Sequence, residues 1–454
     1  MRHRTVSVIA GAGALAALGA FGAARGGSVV TAQAAPAAHL AVARPLGVLT
    51  GTSHWAQPPT TGQCIQTTGL ACYRPAQFQQ AYDLKPLYAR HLDGHGRTII
   101  IVDSFGSPTI KHDLATFDKA FHLPAPHLRV LQPVGKVPPF NPKNGTMVGW
   151  AAETTLDVEY SHAMAPGANI VLLETPVAET EGTVGFPQIV AAENYAINHH
   201  LGDVISQSFG ATEETFPSVD SLRDLRSAYF NAAAHYLSVL ASSGDLGATD
   251  SRFNGVTLYT RRVTQWPSTD PLVTSVGGLQ LHLNGAGDRI LPDNVWNDTN
   301  VLGSPAAGSG GTSSIFARPS YQNSVGNVVG WHRGTPDISL SAAVDGSAII
   351  YLSFLPPGFY TIAGTSEACP QLAGIVAIAD QAAGHDLGLL NPRLYAIGSG
   401  GPGIPDITIG NNTVTFTQNG HTFTVPGFNA GPGYDMASGL GTVDAAKLVA
   451  ELAK

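Results

Sequence analysis

The chain has 454 residues, of which 44 % are apolar and 12 % are charged, and its formal net charge is −8. This length and apolar content are enough to bury a large core, which excludes a mostly disordered protein. The acidic balance, without a basic stripe along the sequence, excludes a typical nucleic-acid-binding surface, so we expect no nucleic-acid partner.

Residues 1–34 have the order of regions that is typical of a secretory signal peptide. A cationic start, MRHRT, precedes an apolar run of small residues and then Ala32-Gln33-Ala34, which predicts cleavage after Ala34. No cationic cluster follows the apolar run, and later apolar runs are short, which argues against a membrane anchor. We therefore expect a secreted, extracellular protein that has no membrane association once the signal is removed.

Residues 35–70 are rich in Ala, Pro, Thr and Gly and show no sustained periodicity. This composition predicts a short, flexible leader or reduced propeptide, with ordered structure from about Tyr73. Cys64 and Cys72 are close enough in sequence to close a short loop in an oxidising compartment. Cys369 lies in an apolar run, which favours a small buried hydrophobic residue over a reactive thiol.

From about residue 98 onward, short β-rich runs alternate with amphipathic helical patterns. The predicted elements are a strand at 98–104, a helix near 109–121, a helix at 152–165, a strand from 169, a helix from 186, a strand from 203, a helix at 219–236 and a strand from 236. Such alternation predicts an α/β fold with a doubly wound, mostly parallel sheet that is covered by helices on both faces. Residues 71–454 are expected to form this domain.

After about residue 250 the pattern loosens into Gly-, Pro- and Thr-rich loops. Short strands are predicted near 272 and 347, and Ser366 is expected to open an apolar helix that continues to about Ala383. A final helix is predicted near 444–453. The loops belong to the surface, where active sites are usually assembled.

Four polar residues in this pattern are candidates for chemistry, and each also has a structural interpretation. Glu153 and Asp157 are four residues apart and share a helix face, which also describes an ordinary solvated face. Asp245 occupies a Gly-flanked turn after a buried strand, where α/β enzymes place ligand-binding groups but where Asp also simply forms turns. Ser366 at a helix start is either a cap or a nucleophile.

Six segments in a fixed order decide between these interpretations. GTSEACP contains the GTSxxxP pattern that subtilisins and sedolisins share, but a subtilisin would also need a His-Gly-Thr segment at a helix start, and DGHGRT leads into a strand. The others are ETTLDVEYSHAMAPGANI, SQSFG, SSGDLGA, WPSTDPLVTSVGG and FARPSYQ. Together they resemble the sedolisins, the serine-carboxyl peptidases, from about Tyr73 to the C-terminus.

The resemblance implies a subtilisin-like fold and a peptidase with protein or peptide substrates. It assigns Ser366 as the nucleophile, Glu153 as the general base, Asp157 as the group that orients the base and Asp245 as the oxyanion donor. A carboxylate base and a protonated Asp245 both require acidic pH. The sequence does not identify a further carboxyl partner of Glu153.

The resemblance also implies one structural Ca²⁺ near the C-terminus. Its ligands would be the Asp406 and Asp435 side chains and the backbone oxygens of Ile407, Gly431 and Gly433. Such an all-oxygen set suits a hard cation. Without the resemblance these residues would simply be turn formers.

Three alternatives accompany this interpretation. A secreted, non-catalytic binding protein could use the same scaffold, a conventional subtilisin would use histidine as its base, and a tripeptidyl-peptidase would release tripeptides instead of cutting internally. Sedolisins usually carry a long globular prosegment, whereas only residues 35–70 lie between the predicted signal and the enzyme-like region. We therefore expect a reduced activation peptide. We also expect the enzyme to be a monomer.

Overall fold

The centre of the structure, a computed structural model that describes residues 48–50 and 54–454, is an eight-stranded sheet. The predicted signal peptide and the first part of the predicted leader lie outside the described residues. Two further groups of residues form short 3₁₀ turns, at Glu213–Thr215 and Ser320–Val325. The strands and helices, in chain order, are β1 (Val48–Leu49), α1 (Thr61–Thr68), β2 (Cys72–Tyr73), α2 (Pro75–Ala81), α3 (Lys85–Tyr88), β3 (Thr98–Ser104), α4 (Ile110–Phe121), β4 (His127–Leu131), α5 (Gly145–Met164), β5 (Asn169–Thr175), α6 (Phe186–Asn198), β6 (Val204–Gln207), β7 (Ala211–Thr212), α7 (Val219–Leu225), α8 (Ser227–Ala234), β8 (Ser238–Ser242), β9 (Gln265–Trp266), β10 (Thr274–Gln280), β11 (Asn294–Val295), α9 (Thr299–Leu302), β12 (Gly311–Ala317), α10 (Gly326–Val329), β13 (His332–Thr335), β14 (Ile338–Ser341), β15 (Ser347–Leu352), β16 (Gly358–Ala363), α11 (Thr365–Ala383), α12 (Asn391–Ile397), β17 (Val414–Gln418), β18 (His421–Val425) and α13 (Ala445–Leu452).

The central sheet has the strand order β11-β10-β8-β6-β3-β5-β4, and β14 also pairs with β10. All of its pairings are parallel except the one between β10 and β11. Parallel neighbours need helical crossovers, and these crossovers cover the two faces of the sheet. The predicted α/β fold with a doubly wound, mostly parallel sheet is therefore confirmed.

Both faces of the sheet are buried, as the alternation along β3 demonstrates. Ile99 and Ile101 belong to the core on the face covered by α5 and α11, whereas Ile100 and Val102 belong to the core covered by α6 and α8. Successive side chains of a strand point to opposite faces, so a strand buried on both faces must be apolar throughout. This is why the TIIIV run predicts a central strand.

Helices α5 and α11 pack directly against each other at Gly374. A Cβ built at Gly374 would lie 2.6 Å from Cβ of Met164 and 3.2 Å from the carbonyl oxygen of Ser161. Only glycine therefore permits this approach between the helices. The close packing brings the beginning of α11 beside the middle of α5, where the predicted base lies.

Two predicted helices have different boundaries in the structure. Helix α5 begins at Gly145, not at residue 152, because the Asn144 side chain accepts hydrogen bonds from Thr146 N and Met147 N and caps it. The predicted helix at 219–236 is two helices, α7 and α8, separated at Arg226. Apolar periodicity alone marks neither a side-chain cap nor a break between adjacent helices.

Ordered structure begins before Tyr73, so the predicted start of ordered structure is wrong, whereas the end of the leader at residue 70 stays a prediction. Helix α1 starts with a capping box between Thr60 and Gln63 and ends at Gly69 in a left-handed conformation. Cys64 and Cys72 form a disulfide that ties this helix to β2. The capping residues and the disulfide stabilise a segment whose apolar periodicity is weak, and cleavage of residues 35–70 stays a prediction.

Candidate active site

Ser366 lies at the beginning of α11 but does not cap it. The cap is Gly364, whose φ of 130° disfavours any side chain, so Thr365 and Ser366 are the first two helical residues. The Ser366 side chain is buried, and its Oγ has no hydrogen-bond partner among the described residues. The capping interpretation of Ser366 is therefore wrong, and its hydroxyl stands at the positive end of the helix dipole.

Asp245 is bonded to the residue immediately before Ser366. Its Oδ1 accepts hydrogen bonds from Thr365 N at 2.7 Å and from Thr365 Oγ1 at 2.8 Å, while Oδ2 has no hydrogen-bond partner within the described chain. Gly244 N in turn donates to Thr365 Oγ1. These bonds fix the loop after β8 against the start of α11. Within the described chain they leave Asp245 Oδ2 without a hydrogen bond.

Burial raises the pKa of Asp245 to about 7, although the two hydrogen bonds from Thr365 oppose the shift. The charge of Asp250 adds to the increase. A carboxyl with this pKa is protonated at acidic pH and can donate a hydrogen bond from its second oxygen. Asp245 is therefore suited to stabilise a developing negative charge beside Ser366.

Glu153 and Asp157 are completely buried on α5, which contradicts a solvated helix face. Burial raises the pKa of Asp157 well above its usual range, and the charges of Asp103 and Glu153 raise it further. Only the hydrogen bond that Ser208 Oγ donates to Asp157 Oδ1, at 2.8 Å, acts in the opposite direction. Carboxyls this close share protons, so their titration belongs to the group and not to one residue.

The carboxyls of Glu153 and Asp157 face the first turns of α11. Cys369, one turn after Ser366, has a thiol pKa raised to about 12 by burial, and the charges of Asp157 and Glu153 contribute to this increase. The same thiol accepts a hydrogen bond from Ser206 Oγ. Glu153 and Asp157 thus lie near Cys369 in the first turns of α11, the helix that begins at Thr365 beside Asp245. Cys369 is the small buried residue that the sequence predicts.

Asp103 is the residue that the sequence analysis did not identify. It lies near the end of β3, is completely buried, and has a pKa raised by burial and by the charge of Glu174, against the effect of the nearby Thr154 hydroxyl. Its charge also acts on Asp157. A carboxyl at the end of a buried parallel strand is the sequence signal that could have identified it, because ligand-binding groups collect at that edge.

The fold separates His95 from this site. His95 lies just before β3 begins at Thr98, whereas Asp103 and Ser104 lie at the other end of the same strand. A seven-residue strand spans about 20 Å, so His95 lies at the opposite edge of the sheet. The His-Gly pair in DGHGRT therefore cannot supply a histidine base to Ser366.

Four of the five predicted calcium ligands form one cluster. Asp406 Oδ2 accepts a hydrogen bond from Gly433 N at 2.8 Å, and Asp435 Oδ2 accepts one from Gly431 N at 3.0 Å. Asp406 Oδ1 is buried without a hydrogen-bond partner in the described structure, and Ile407 follows directly. These two carboxylates and the adjacent carbonyls are an oxygen-only donor set that fits a hard cation.

Within the part of the chain that the structure describes, carboxylates and imidazoles alone do not form a metal site. Among residues 48–50 and 54–454, no three His, Cys, Asp or Glu side chains are grouped to hold a metal ion. A cation at the C-terminal cluster would therefore need backbone carbonyls as well as Asp406 and Asp435. In the same part of the chain, no helix combines the length and apolar content needed to cross a bilayer.

Comparison with known proteins gives consistent matches. Residues 144–393 match the model of the subtilase family. The chain is 31 % identical over 384 residues to kumamolisin from Bacillus sp. (strain MN-32), which covers 83 % of this chain and 63 % of kumamolisin. It is 32 % identical over 283 residues to tripeptidyl-peptidase sed4 from Aspergillus fumigatus, which covers 55 % of this chain and 44 % of that relative. The chain thus spans less than two thirds of the length of either relative.

A solved structure agrees with these sequence matches. The structure of Pseudomonas sedolisin, described as a serine-carboxyl proteinase in complex with two molecules of pseudo-iodotyrostatin, superimposes with a TM-score of 0.69 at 27 % identity. The match covers 84 % of this chain and 98 % of that one. The resemblance carried by the sequence motifs is confirmed, and the chain belongs to the sedolisins within the subtilase family.

Proposed function

We propose that this protein is a serine-carboxyl peptidase that hydrolyses peptide bonds at acidic pH through an acyl-enzyme. The observation that carries the proposal is the position of Asp245, bonded through one oxygen to Thr365 and free to donate from the other beside Ser366. The relatives named above support the same class of reaction.

In this mechanism Ser366 Oγ attacks the carbonyl carbon of the scissile bond and its proton passes to the Glu153 carboxylate. The resulting oxyanion accepts a hydrogen bond from protonated Asp245. Glu153 then returns the proton to the leaving amine as the carbon–nitrogen bond breaks. In the second half, Glu153 takes a proton from a water molecule whose oxygen attacks the acyl carbon. The bond from that carbon to Ser366 Oγ then breaks, the acid product leaves, and Glu153 returns the proton to Ser366 Oγ.

The protonation states of the four carboxyls explain the acidic working range. Glu153 must be ionised to accept a proton, and Asp157 and Asp103 reduce the local repulsion by keeping protons, since burial raises the pKa of both. Asp245 must be protonated, and it loses its proton as the pH rises through about 7. Activity should therefore fall between weakly acidic and weakly alkaline pH.

We propose internal cleavage, and the alternative is release of tripeptides from a free N-terminus. The relative from Aspergillus fumigatus is a tripeptidyl-peptidase, and this similarity is the reason to test the alternative. One peptide, prepared with a free and with an acetylated N-terminus, is incubated with the protein from pH 3 to 8 and the products are identified by mass. Internal products from both forms support an endopeptidase, whereas tripeptides from the free form alone support the alternative.

The same experiment tests the proposed function as a whole. Hydrolysis that is greatest at acidic pH and disappears above about pH 7 is expected from the pKa of Asp245. A failure to cleave any peptide in a varied set would favour a non-catalytic binding protein on this scaffold. Greatest activity above pH 7 would favour a histidine-dependent subtilisin.

We further propose that one Ca²⁺ binds at the C-terminal cluster. Asp406 and Asp435 would hold it through their side chains, and Ile407, Gly431 and Gly433 through their carbonyl oxygens. The bound ion would supply a positive charge that fixes these turns. The hydrogen bonds from Gly431 N and Gly433 N already orient the two carboxylates, which supports the proposal.

Export and a monomeric state are also proposals. The order of regions in residues 1–34 supports secretion, although these residues lie outside the described structure. N-terminal sequencing of protein collected from the culture medium should begin at Ala35 or later, and sedimentation should give the mass of one chain.

A further inference from the structure

Three carboxyls outside the proposed catalytic group lie together beside Asp245. Glu179 and Glu181 belong to the loop after β5, and Asp250 follows Asp245 by five residues in the loop after β8. Their exposed fractions are 1 %, 5 % and 8 %. We call this group, Glu179, Glu181 and Asp250, the acidic crevice.

Thr212 joins the two loops that form the acidic crevice. Its N–H donates to Glu181 Oε2 at 3.0 Å, and its hydroxyl donates to the carbonyl oxygen of Ser251 at 2.7 Å. Thr215 Oγ1 also donates to Glu181 Oε2, at 3.3 Å. Because Thr212 follows β6, the acidic crevice is built at the carboxyl ends of β5, β6 and β8, where open α/β sheets bind ligands.

Glu179 has an unusual environment within the acidic crevice. Both of its carboxyl oxygens are buried, and neither has a hydrogen-bond partner among the described residues. Glu181 and Asp250 are near enough for their charges to act on Glu179. Burying a carboxyl without a partner is unfavourable, and a cationic ligand would remove this penalty.

The protein's own nearby arginines have other partners. Arg252 stacks on the Tyr259 ring, 4.6 Å from its centroid, and donates to the carbonyl oxygen of Leu258. Arg261 forms an ion pair with Glu214 at 2.9 Å. Because the acidic crevice draws its carboxyls from two different loops, an extended organic cation suits it better than a single ion.

The position of the acidic crevice relative to Asp245 identifies where such a cation would come from. If Asp245 binds the oxyanion, it contacts the carbonyl oxygen of the residue before the scissile bond, and the side chain of that residue starts one atom from the same carbonyl group. Asp250 is close enough for its charge to act on Asp245. A long side chain from that substrate residue would therefore extend towards Asp250 and Glu179.

We propose that the acidic crevice binds the cationic side chain of arginine or lysine immediately before the scissile bond. The inference rests on the proposed peptidase function and specifies its substrate class. A guanidinium offers several donors in a fixed plane and matches separated carboxylates, so arginine should be favoured over lysine. When the cation enters, Glu179 gives up a proton to water and forms a charge-assisted hydrogen bond.

The test compares peptides that differ only at the residue before the scissile bond. Arginine is compared with citrulline, its uncharged isostere, and lysine with norleucine, each with a free and with an acetylated N-terminus. We expect kcat/KM at pH 5 to be at least about tenfold higher for arginine than for citrulline, because the uncharged ligand leaves the buried Glu179 carboxyl without an ionic partner. The acetylated set separates a side-chain cation from the substrate's terminal ammonium.

Two variants locate the preference. Glu179→Gln and Asp250→Asn should each lower the arginine-to-citrulline ratio towards one. Glu193→Gln is the matched control, because Glu193 is also a buried glutamate but bonds to Gln207 outside the acidic crevice, and it should keep the wild-type ratio. If Glu179→Gln does not fold, as judged by its melting curve, Asp250→Asn and the wild-type substrate series still show whether the acidic crevice causes the preference for arginine.

The outcomes separate this inference from the proposed function. Efficient cleavage with an arginine-to-citrulline ratio near one would overturn the inference and leave the peptidase function intact. The same holds for a preference that depends only on a free N-terminus, or one that survives both variants. Absence of cleavage for every peptide would overturn both.

Discussion

Asp245 and Asp435 are both buried aspartates in turns, but their oxygens are bonded differently. Asp245 receives both of its hydrogen bonds on Oδ1, from Thr365, and its Oδ2 has no hydrogen-bond partner in the described residues. Asp435 is bonded on both oxygens, by Gly431 N on one and by Ala437 N, Ser438 N and Ser438 Oγ on the other. The first arrangement leaves an oxygen that can carry a proton to a substrate. In the second, burial also raises the pKa of Asp435, but four donors to its two oxygens oppose that increase and favour the carboxylate.

The hydrogen-bond donors around a buried carboxyl, and not its residue type, determine what that carboxyl can do. In the candidate active site, few hydrogen-bond donors oppose the increase in carboxyl pKa that burial causes, so these carboxyls keep their protons. At the C-terminal cluster backbone N–H groups orient the carboxylates, which suits a cation. We therefore expect the candidate active site and the C-terminal cluster to respond to different perturbations.

The largest effect is expected from Ser366→Ala, which removes the proposed nucleophile. Peptide hydrolysis should fall by at least about 10⁴-fold, since the rest of the site retains only residual catalysis. Ser366 Oγ has no hydrogen-bond partner in the described chain, so the melting temperature should change little. Discontinuous assays with mass detection measure the rate of hydrolysis, and circular dichroism measures the melting temperature.

Ser275→Ala is the matched control for Ser366→Ala. Ser275 is also a buried serine whose Oγ has no hydrogen-bond partner among the described residues, but it lies on β10. It should retain wild-type turnover. Equal losses in the two variants would contradict the role of Ser366, as would undiminished turnover in Ser366→Ala.

Glu153→Gln should lower kcat by about 10² to 10⁴-fold, because an amide cannot accept the serine proton. Glu159→Gln, on the same helix, is the control. Burial raises the pKa of Glu159 well above its usual range, and it accepts a hydrogen bond from Tyr351 N, so glutamine replaces it nearly isosterically. A Glu153→Gln enzyme as active as Glu159→Gln would show that the base is elsewhere.

Substitutions of Asp245 test most directly whether its second oxygen donates a proton in the candidate active site. Asp245→Ala should lose about 10² to 10³-fold in kcat, as expected for an oxyanion donor. Asp245→Asn should lose less, because its Oδ1 can accept both Thr365 donors and its amide can donate at any pH. Its pH profile should lack the decline near pH 7 that reports deprotonation of Asp245. An unchanged profile in Asp245→Asn would assign that decline to another group.

Stability should decrease as the pH rises from 4 to 8. Several buried carboxyls have pKa values raised by burial to about 7 or 8, namely Asp118, Asp245, Glu193, Glu367 and Asp380. Each binds a proton in the folded protein that the unfolded chain has already released, so this stabilisation is complete below pH 4 and is lost through pH 7 to 8. The melting temperature should fall by more than about 5 °C over this range.

Glu193→Gln tests the source of that pH dependence. It removes one buried titrating group, so melting temperature should depend less steeply on pH than in the wild type. Asp220→Asn changes an exposed carboxyl and should leave the slope unaltered. A melting temperature that rises from pH 4 to 8 would contradict the raised pKa values.

The smallest effect concerns the C-terminal cluster. A chelator should lower the melting temperature by about 2 to 5 °C, as expected when a bound ion contributes about 2 to 4 kcal/mol and the unfolding entropy of about 400 residues is about 0.8 kcal/mol/K. Asp435→Ala should abolish this sensitivity, whereas Asp288→Asn, an aspartate in another turn, should retain it. An unchanged melting curve with chelator would mean that Asp435 only forms a turn.

Much of the fold could be predicted because its signals are local. The TIIIVDS run gives β3, and the apolar pattern after GTS gives α11 to within one residue of its start. The capped start of α5 and the helix α1 were missed, since caps and a disulfide stabilise segments that have little apolar periodicity.

The candidate site was predictable only through the resemblance of six ordered segments. Taken alone, Glu153 and Asp157 fitted a solvated face, and only the packing of α11 over α5 shows that they are buried. Asp103 and the acidic crevice gave no comparable motif. Their importance depends on which loops meet at the carboxyl ends of the strands.

The sequence by itself determined the alternation of strands and helices, the family, and the residue types at four positions, because periodicity and short motifs are properties of neighbouring residues. Tertiary structure decided the environment of those residues. Asp245 bonds to Thr365 across 120 residues of chain, and the charge of Asp250 acts on Glu179 from a different loop. Burial and hydrogen bonding between such distant segments set the protonation of each carboxyl, and hence which of them can donate a proton, accept one or bind a cation.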